Sequence, residues 1–246
     1  MPERIQKIIA KAGIASRRAA EQMIRDGRVS VDGQVVTEVG TKVDAGKHAI
    51  RIDGTLICAD TPSVYIMIHK PRGYLSTVKD SRERPIVADL LEDISDRLFP
   101  VGRLDYDSEG LMLMTNDGEF AHNVQHPRFG IPKTYLVKLK GKLSKDALGV
   151  VRKGGHLEDG FFEPVKVTLD RINPRSTWLR VVIHEGRNRI LRRYFDYLGY
   201  PVVRLIRVAI GDTELGTLQA GKYRHLTERE VSKLLRMAKR KSSKLS

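Results

Sequence analysis

Residues 102–118 read GRLDYDSEGLMLMTNDG. Three acids, Asp105, Asp107 and Glu109, alternate before Gly110, and an apolar run follows. Alternating oxygens before a glycine suit the start of an EF-hand calcium loop, but that loop needs a bidentate Glu at its twelfth position. Counting from Asp105, the twelfth residue is Asn116, and the second half, LMLMT, belongs in a core rather than around a cation. An Asp-x-Asp pair of the phosphate-handling kind would end a buried strand, yet Gly102 and Arg103 stand just before Asp105. His122 and His126 have helical i,i+4 spacing, but Asn123 replaces the Glu of HExxH and Pro127 follows at once. No metal site is therefore expected. What remains is one carboxylate, Asp105, on a turn between an arginine and an apolar strand. Asp107 and Glu109 are expected to face solvent or fix the loop.

Outward from this stretch, strand patterns dominate from Val64 onward: VYIMIHKPRGYLST, KTYLVKLKG, FEPVKVTLD, STWLRVVIHEG and VVRLIRVAIGD. Helices are predicted at about 116–124, 144–152 and 188–198. Regular strand–helix alternation and a GxGxxG fingerprint are both missing, which argues against a doubly wound parallel fold. The expected class is α+β, with a mixed, mostly antiparallel sheet flanked by helices over residues 64–238. A last helix opens with a capping box, Thr227 to Glu230, and runs through VSKLLRMAKR. Residues 239–246 are expected to be a basic, disordered tail.

The N-terminal segment reads differently. Ile5, Ile8, Ile9 and Ala12 form one helical stripe, stopped by Gly13. Ser16 is a candidate N-cap for a second helix with Ala19, Ala20, Met23 and Ile24 on one face, closed by Gly27. An alternating strand then breaks at Asp32-Gly33, a type I′ hairpin signal. Lys7, Lys11, Arg17, Arg18, Arg25 and Arg28 fall within the first thirty residues and are candidate contacts to a phosphate backbone. A module of about residues 1–60 is expected, joined through a short hinge at CADTPSV.

The bulk numbers agree with a nucleic-acid partner. The 246 residues hold 44 Lys and Arg against 30 Asp and Glu, for a formal net charge of +14. Such a surplus attracts polyanions. No apolar run approaches the roughly 20 residues of a bilayer span, and the N-terminus lacks a signal-peptide pattern. A single cysteine, Cys58, rules out an internal disulfide framework and fits a reducing cytosol. It is expected to be a buried strand thiol.

Taken together, GRLDYDSEGLMLMTNDG, HKPRGYLST, KTYLVKL, EGRNRILRRYFDYLGYPVVRLIRVAIGD and LQAGKYRHLTEREV resemble, in order, the motifs of the RsuA/RluB family of ribosomal RNA pseudouridine synthases. Residues 3 to about 58 resemble the S-four-type RNA-binding domain. The resemblance implies the pseudouridine synthase fold, isomerisation of uridine to its C-glycoside without a cofactor, and a base flipped out of its stack at a cost of a few kcal/mol. It also implies Asp105 as the catalytic carboxylate and Tyr135 as the aromatic face beneath the flipped uracil. A carboxylate that must stay ionised in a desolvated pocket needs a cation beside it, and the resemblance assigns that place to Arg192. Ile190 departs from the family pattern, where Gln is common. Arg103, Arg187 and Arg189 are further candidate RNA contacts. The expected partner is ribosomal RNA or a ribosomal precursor particle, met by a cytoplasmic monomer. The large-subunit RNA is favoured as target. A small-subunit synthase and a catalytically silent assembly factor are the alternatives.

Overall fold

The computed structural model describes residues 1–58 and 61–242. Ala59 and Asp60 of the expected hinge, and residues 243–246 of the expected tail, lie outside them. The chain divides into two units. One holds Met1–Val64 with Asp93–Leu98 and Asn116–Gly118; the other holds Tyr65–Glu92, Phe99–Thr115 and Glu119–Ser246.

In the first unit, β1 (Glu3–Arg4) leads into α1 (Ile5–Lys11) and α2 (Arg17–Arg25). Ser16 caps α2, its hydroxyl accepting from the Ala19 amide at 3.1 Å. Then come β2 (Val29–Val31), β3 (Gln34–Val35), β4 (Lys42–Val43), β5 (Ile50–Ile52) and β6 (Thr55–Leu56). β4 pairs with β1, and the others form a sheet ordered β3-β2-β5-β6. Asp32 and Gly33 both take positive φ, 50° and 84°, as a type I′ turn requires. Ile5, Ile8, Ile9, Ala20, Ile24, Val29 and Ile50 close the core. Cys58 is exposed, not a buried strand thiol, because β6 ends at Leu56 before reaching it.

The second unit is built on β7 (Tyr65–Lys70), β8 (Phe99–Val101), β9 (Glu109–Thr115), β10 (Lys133–Lys140), β11 (Gly155–Leu157), β12 (Gly160–Phe162), β13 (Lys166–Asn173), β14 (Ser176–Ile183), β15 (Val202–Ile210), β16 (Thr213–Glu214) and β17 (Tyr223–His225). Its helices are α3 (Gly118–Gln125), α4 (Lys145–Lys153), α5 (Ile190–Tyr197) and α6 (Glu228–Ser242). The main sheet runs β13-β14-β10-β15-β9-β7-β17, with β8 on β9 and β16 on β15. β9 and β15 are parallel, and the other pairings in this sheet are antiparallel. The architecture is thus α+β on a mixed sheet, as the sequence predicts.

Every residue of β9 is buried, which suits LMLM in a strand covered on both faces. Met67, Leu111 and Leu113 pack with Phe120 and Val124 of α3 and Leu234 and Ala238 of α6. At the other end of the sheet, α4 and α5 bury Val151, Leu191, Tyr194 and Phe195. The capping box is present: Thr227 N–H donates to Glu230 at 2.9 Å, and Glu230 N–H to the Thr227 hydroxyl at 3.3 Å. α6 runs to Ser242, so Lys239–Ser242 are helical where a disordered tail is expected from 239. The apolar stripe of α6, anchored by Leu234 and Ala238, carries the helix past that point.

Candidate active site

Asp105 stands on the loop between β8 and β9, and the loop is held by its carbonyls. Arg207 of β15 donates to the Arg103 carbonyl at 3.4 Å, and the Ser76 hydroxyl to that of Leu104 at 2.6 Å. Lys70 Nζ donates to the carbonyls of Asp105 (3.2 Å) and Ser108 (2.8 Å). The Gly73 amide donates to the Tyr106 carbonyl at 2.8 Å, and Arg192 to that of Asp107 at 3.0 Å. All six carbonyls from Arg103 to Ser108 therefore have a donor from outside the loop. Lys70 is fully buried at the end of β7, and burial pulls its ammonium down to about 8.

Gly110 fixes where this loop leaves for β9. It pairs with Arg207 of β15 and has φ +111°. A Cβ there would lie 2.3 Å from the Arg207 carbonyl oxygen, so only glycine lets the two backbones run side by side.

The cation closest to Asp105 is Arg189, not Arg192. Arg189 Nη1 lies 3.7 Å from Asp105 Oδ2, while both its terminal nitrogens donate to Asp107, at 3.0 and 3.1 Å. Arg189 adopts a left-handed backbone (φ 48°) at the N-cap of α5, a strained conformation of the kind found at functional sites. That cap starts the helix at Ile190, later than the predicted 188. Arg192 lies one turn inside α5, is buried, and reaches under the loop to the Asp107 carbonyl, to Asp107 Oδ2 at 3.3 Å and to the Val202 carbonyl at 3.2 Å. Burial lowers the Arg192 guanidinium from its ordinary value despite Asp107. For Asp107 burial acts upward, but the Arg189 hydrogen bond and the Arg192 charge hold its carboxyl below the usual range. Asp107 is thus a structural anchor for both arginines. Glu109 does not face solvent as expected; it is buried in β9 and bound by Arg204 at 2.5 Å. The parallel β9–β15 pairing, with Ile206 opposite Glu109, brings Arg204 to it.

Asp105 opens into a cleft of about 1160 Å³, large enough for a nucleotide and its neighbours. Tyr135 and Arg207 are cross-strand partners in its floor. Arg103 and Tyr106 are exposed at its rim, as are His122 and His126, whose ring centroids lie 4.9 Å apart with the planes tilted by 55°. Among the described residues no group of three His, Cys, Asp or Glu side chains converges as metal ligands would. Ile190, at the position where Gln is common, gives an apolar wall. Arg187 lines the cleft, but its guanidinium is bound to Glu185, to Asp159 at 2.9 Å and to the Phe161 carbonyl at 2.9 Å. It therefore clamps the β11–β12 hairpin instead of offering free donors to RNA.

In the first unit, Lys7 pairs with Glu3 and Arg28 with Asp53, so two of the six expected phosphate contacts are engaged internally. Lys11, Arg17, Arg18 and Arg25 are exposed and make no ion pair among the described residues.

Sequence reasoning missed Lys70, Ser76, Lys133 and Arg207. A signal existed for two of them. Lys70 ends the apolar run YIMI, and Arg207 alternates with the buried Leu205 and Ala209. A charge on the buried face of a strand requires partners.

An aspartate loop at the edge of a nucleotide-sized cleft on a mixed sheet, in a chain that also carries a separate basic module, fits an enzyme that acts on a nucleic acid. Residues 64–197 match the RNA pseudouridylate synthase family, and residues 3–48 match the S4 domain. The chain is 43% identical to the ribosomal large subunit pseudouridine synthase B of Bacillus subtilis over 96% of its own length and 97% of the relative's. It is 48% identical to an RNA pseudouridine synthase of Mycobacterium tuberculosis, covering 94% and 92%. A crystal structure of a pseudouridylate synthase superposes with a TM-score of 0.64 at 28% identity, covering 94% of this chain and 99% of that one. This chain belongs to the RNA pseudouridylate synthase family and carries an S4 domain.

Proposed function

We propose that the chain isomerises a specific uridine of large-subunit ribosomal RNA to pseudouridine, with Asp105 as the catalytic carboxylate and without a cofactor. The observation that carries this reading is the presentation of Asp105: a clamped loop sets its carboxylate at the cleft, with Tyr135 in the floor and Arg189 beside it. Arg189 is oriented by its two bonds to Asp107, and its charge reaches Asp105 at 3.7 Å without a hydrogen bond. The Asp105 oxygens thus lie beside a cation and keep lone pairs for attack or proton removal. Tyr135 offers a ring on which a flipped uracil stacks, worth roughly 1–3 kcal/mol. Arg192 is a positioning residue that fixes the Asp107 end of the loop.

The whole-length similarity to the Bacillus subtilis large-subunit enzyme favours that ribosomal subunit as the target. Lys11, Arg17, Arg18 and Arg25 supply phosphate contacts from the first unit. A ribosomal substrate places the enzyme in the cytoplasm, where it acts as a monomer.

The test is release of tritium from C5 of uridine in ribosomal RNA. Asp105→Asn, which keeps the shape of the side chain, is expected to lose on the order of 10⁴-fold in rate while binding RNA as wild type does. Release at the wild-type rate would falsify the assignment. Mapping the modified nucleotide in large- and small-subunit RNA then identifies the target.

A further inference from the structure

Two cations in the cleft floor have no carboxylate partner. Arg207 is 3% exposed. Its Nε donates to the Leu111 carbonyl at 2.7 Å and its Nη1 to that of Arg103 at 3.4 Å, but its buried Nη2 has no acceptor. Lys133 begins β10 two residues before Tyr135, on the same face of the strand, and its Nζ has a single long bond to the Ile131 carbonyl at 3.3 Å. Lys133, Tyr135 and Arg207 all line the cleft. The carboxylates lining it are Asp105 and Glu185, and Glu185 is bound by Arg187. Burial, and then the Arg207 charge, pull the Lys133 ammonium down to about 8. Holding two cations near each other with no anion is unfavourable, and such a site is complete only when a negative charge arrives.

Given the isomerisation proposed above, on which this inference rests, that charge has a natural source. The C1′–N1 bond breaks with Asp105 compensating C1′, by attack on it or by removal of a sugar proton, and C1′–C5 forms as that step reverses. While the base is detached it keeps the bonding electron pair as an anion shared over N1, O2 and O4. Once C5 is joined, C5 gives up its proton and N1 gains one, so composition and charge balance. We propose that Lys133 and Arg207 form the seat of the negative charge on the departing uracil. Tyr135, two residues along the strand from Lys133 and cross-strand partner of Arg207, sets the plane of the base. Preorganised cations at the place where charge develops favour the transition state over the neutral bound uridine.

Lys133 tests this, because Arg207 also holds the loop. Single-turnover rates are measured on transcripts of ribosomal RNA containing uridine or 5-fluorouridine, following loss of the N-glycoside by chromatography of nuclease digests. Fluorine at C5 makes the base anion less basic, so it needs less help to leave. Lys133→Met is expected to slow uridine on the order of 100-fold, with a clearly smaller loss on 5-fluorouridine. Lys133→Arg, which keeps the charge, retains most of the rate on both. Circular dichroism checks folding, and Lys133→Gln replaces Lys133→Met if the latter unfolds. Equal losses on the two RNAs, no loss at all, or an arginine variant as slow as the methionine one would each overturn the proposal. Failure of the wild type to form pseudouridine would instead overturn the isomerase reading beneath it.

Discussion

In the loop from Arg103 to Ser108, Lys70, Arg192 and Arg207 bind backbone carbonyls from inside the fold. In the first unit, Lys11, Arg17, Arg18 and Arg25 stand in solvent with no ion pair among the described residues. The same residue types do opposite work. Buried cations fix geometry, because a guanidinium or ammonium out of water must satisfy its donors on the protein. Exposed cations on a helix surface leave the fold almost unaffected and their charge available to a polyanion. A basic composition therefore overstates the binding surface until the engaged residues are subtracted, as Lys7, Arg28, Arg187 and Arg204 show.

The sharpest way to break the contrast is at Gly110. Gly110→Ala places a methyl 2.3 Å from the Arg207 carbonyl and is expected to destabilise the fold by about 4 kcal/mol or more, or to prevent folding. Gly33→Ala, with nothing within 4 Å of its Cβ, is expected to cost only about 1 kcal/mol for its positive φ. Urea unfolding of the two variants checks this difference.

Next in size is Lys70→Met, which leaves the carbonyls of Pro71, Asp105 and Ser108 without their shared donor and is expected to cost about 3 kcal/mol. It carries a pH signature. The folded Lys70 titrates near 8, below its unfolded value of 10.5. The unfolded chain thus binds more protons between those values, and the stability of the wild type rises with pH across that window. The variant should show a shallower rise; an unchanged slope would mean Lys70 does not titrate there.

Smallest is the change at the exposed cations. Arg17→Glu with Arg18→Glu should leave unfolding within about 0.5 kcal/mol of wild type. RNA affinity should fall by roughly tenfold or more, with a reduced salt slope. A large loss of stability, or an unchanged slope, would remove the distinction between the two classes of cation.

What could be read from the sequence follows the same division. The Ser16 cap, the Asp32-Gly33 turn and the Thr227–Glu230 box are local, and each depends on residues no more than three apart. The place of Asp105, on a loop just ahead of a buried strand, was legible because the apolar run LMLMT that follows it is a local signal. The choice between Arg189 and Arg192 was not legible, since it depends on a left-handed residue at the start of α5. Lys70 and Arg207 reach the loop from strands 35 and 104 positions away, respectively. No periodicity in either segment announces that contact. That Glu109 is buried, where a solvent-facing or loop-fixing acid is expected, was not legible because the arginine that neutralises it lies nearly a hundred residues on.

The pairing of Gly110 with Arg207 also sets an order of events during synthesis. The carbonyls of Arg103 and Leu111 receive their buried donors only after residue 207 has left the ribosome. At ordinary elongation rates that interval is on the order of ten seconds. Throughout it the segment carrying Asp105 exists without its scaffold, while β1 to β6 and both helices of the N-terminal segment, which end at Leu56, are already made. The exposed basic helices of this protein are thus synthesised well before the loop that carries Asp105 can be clamped.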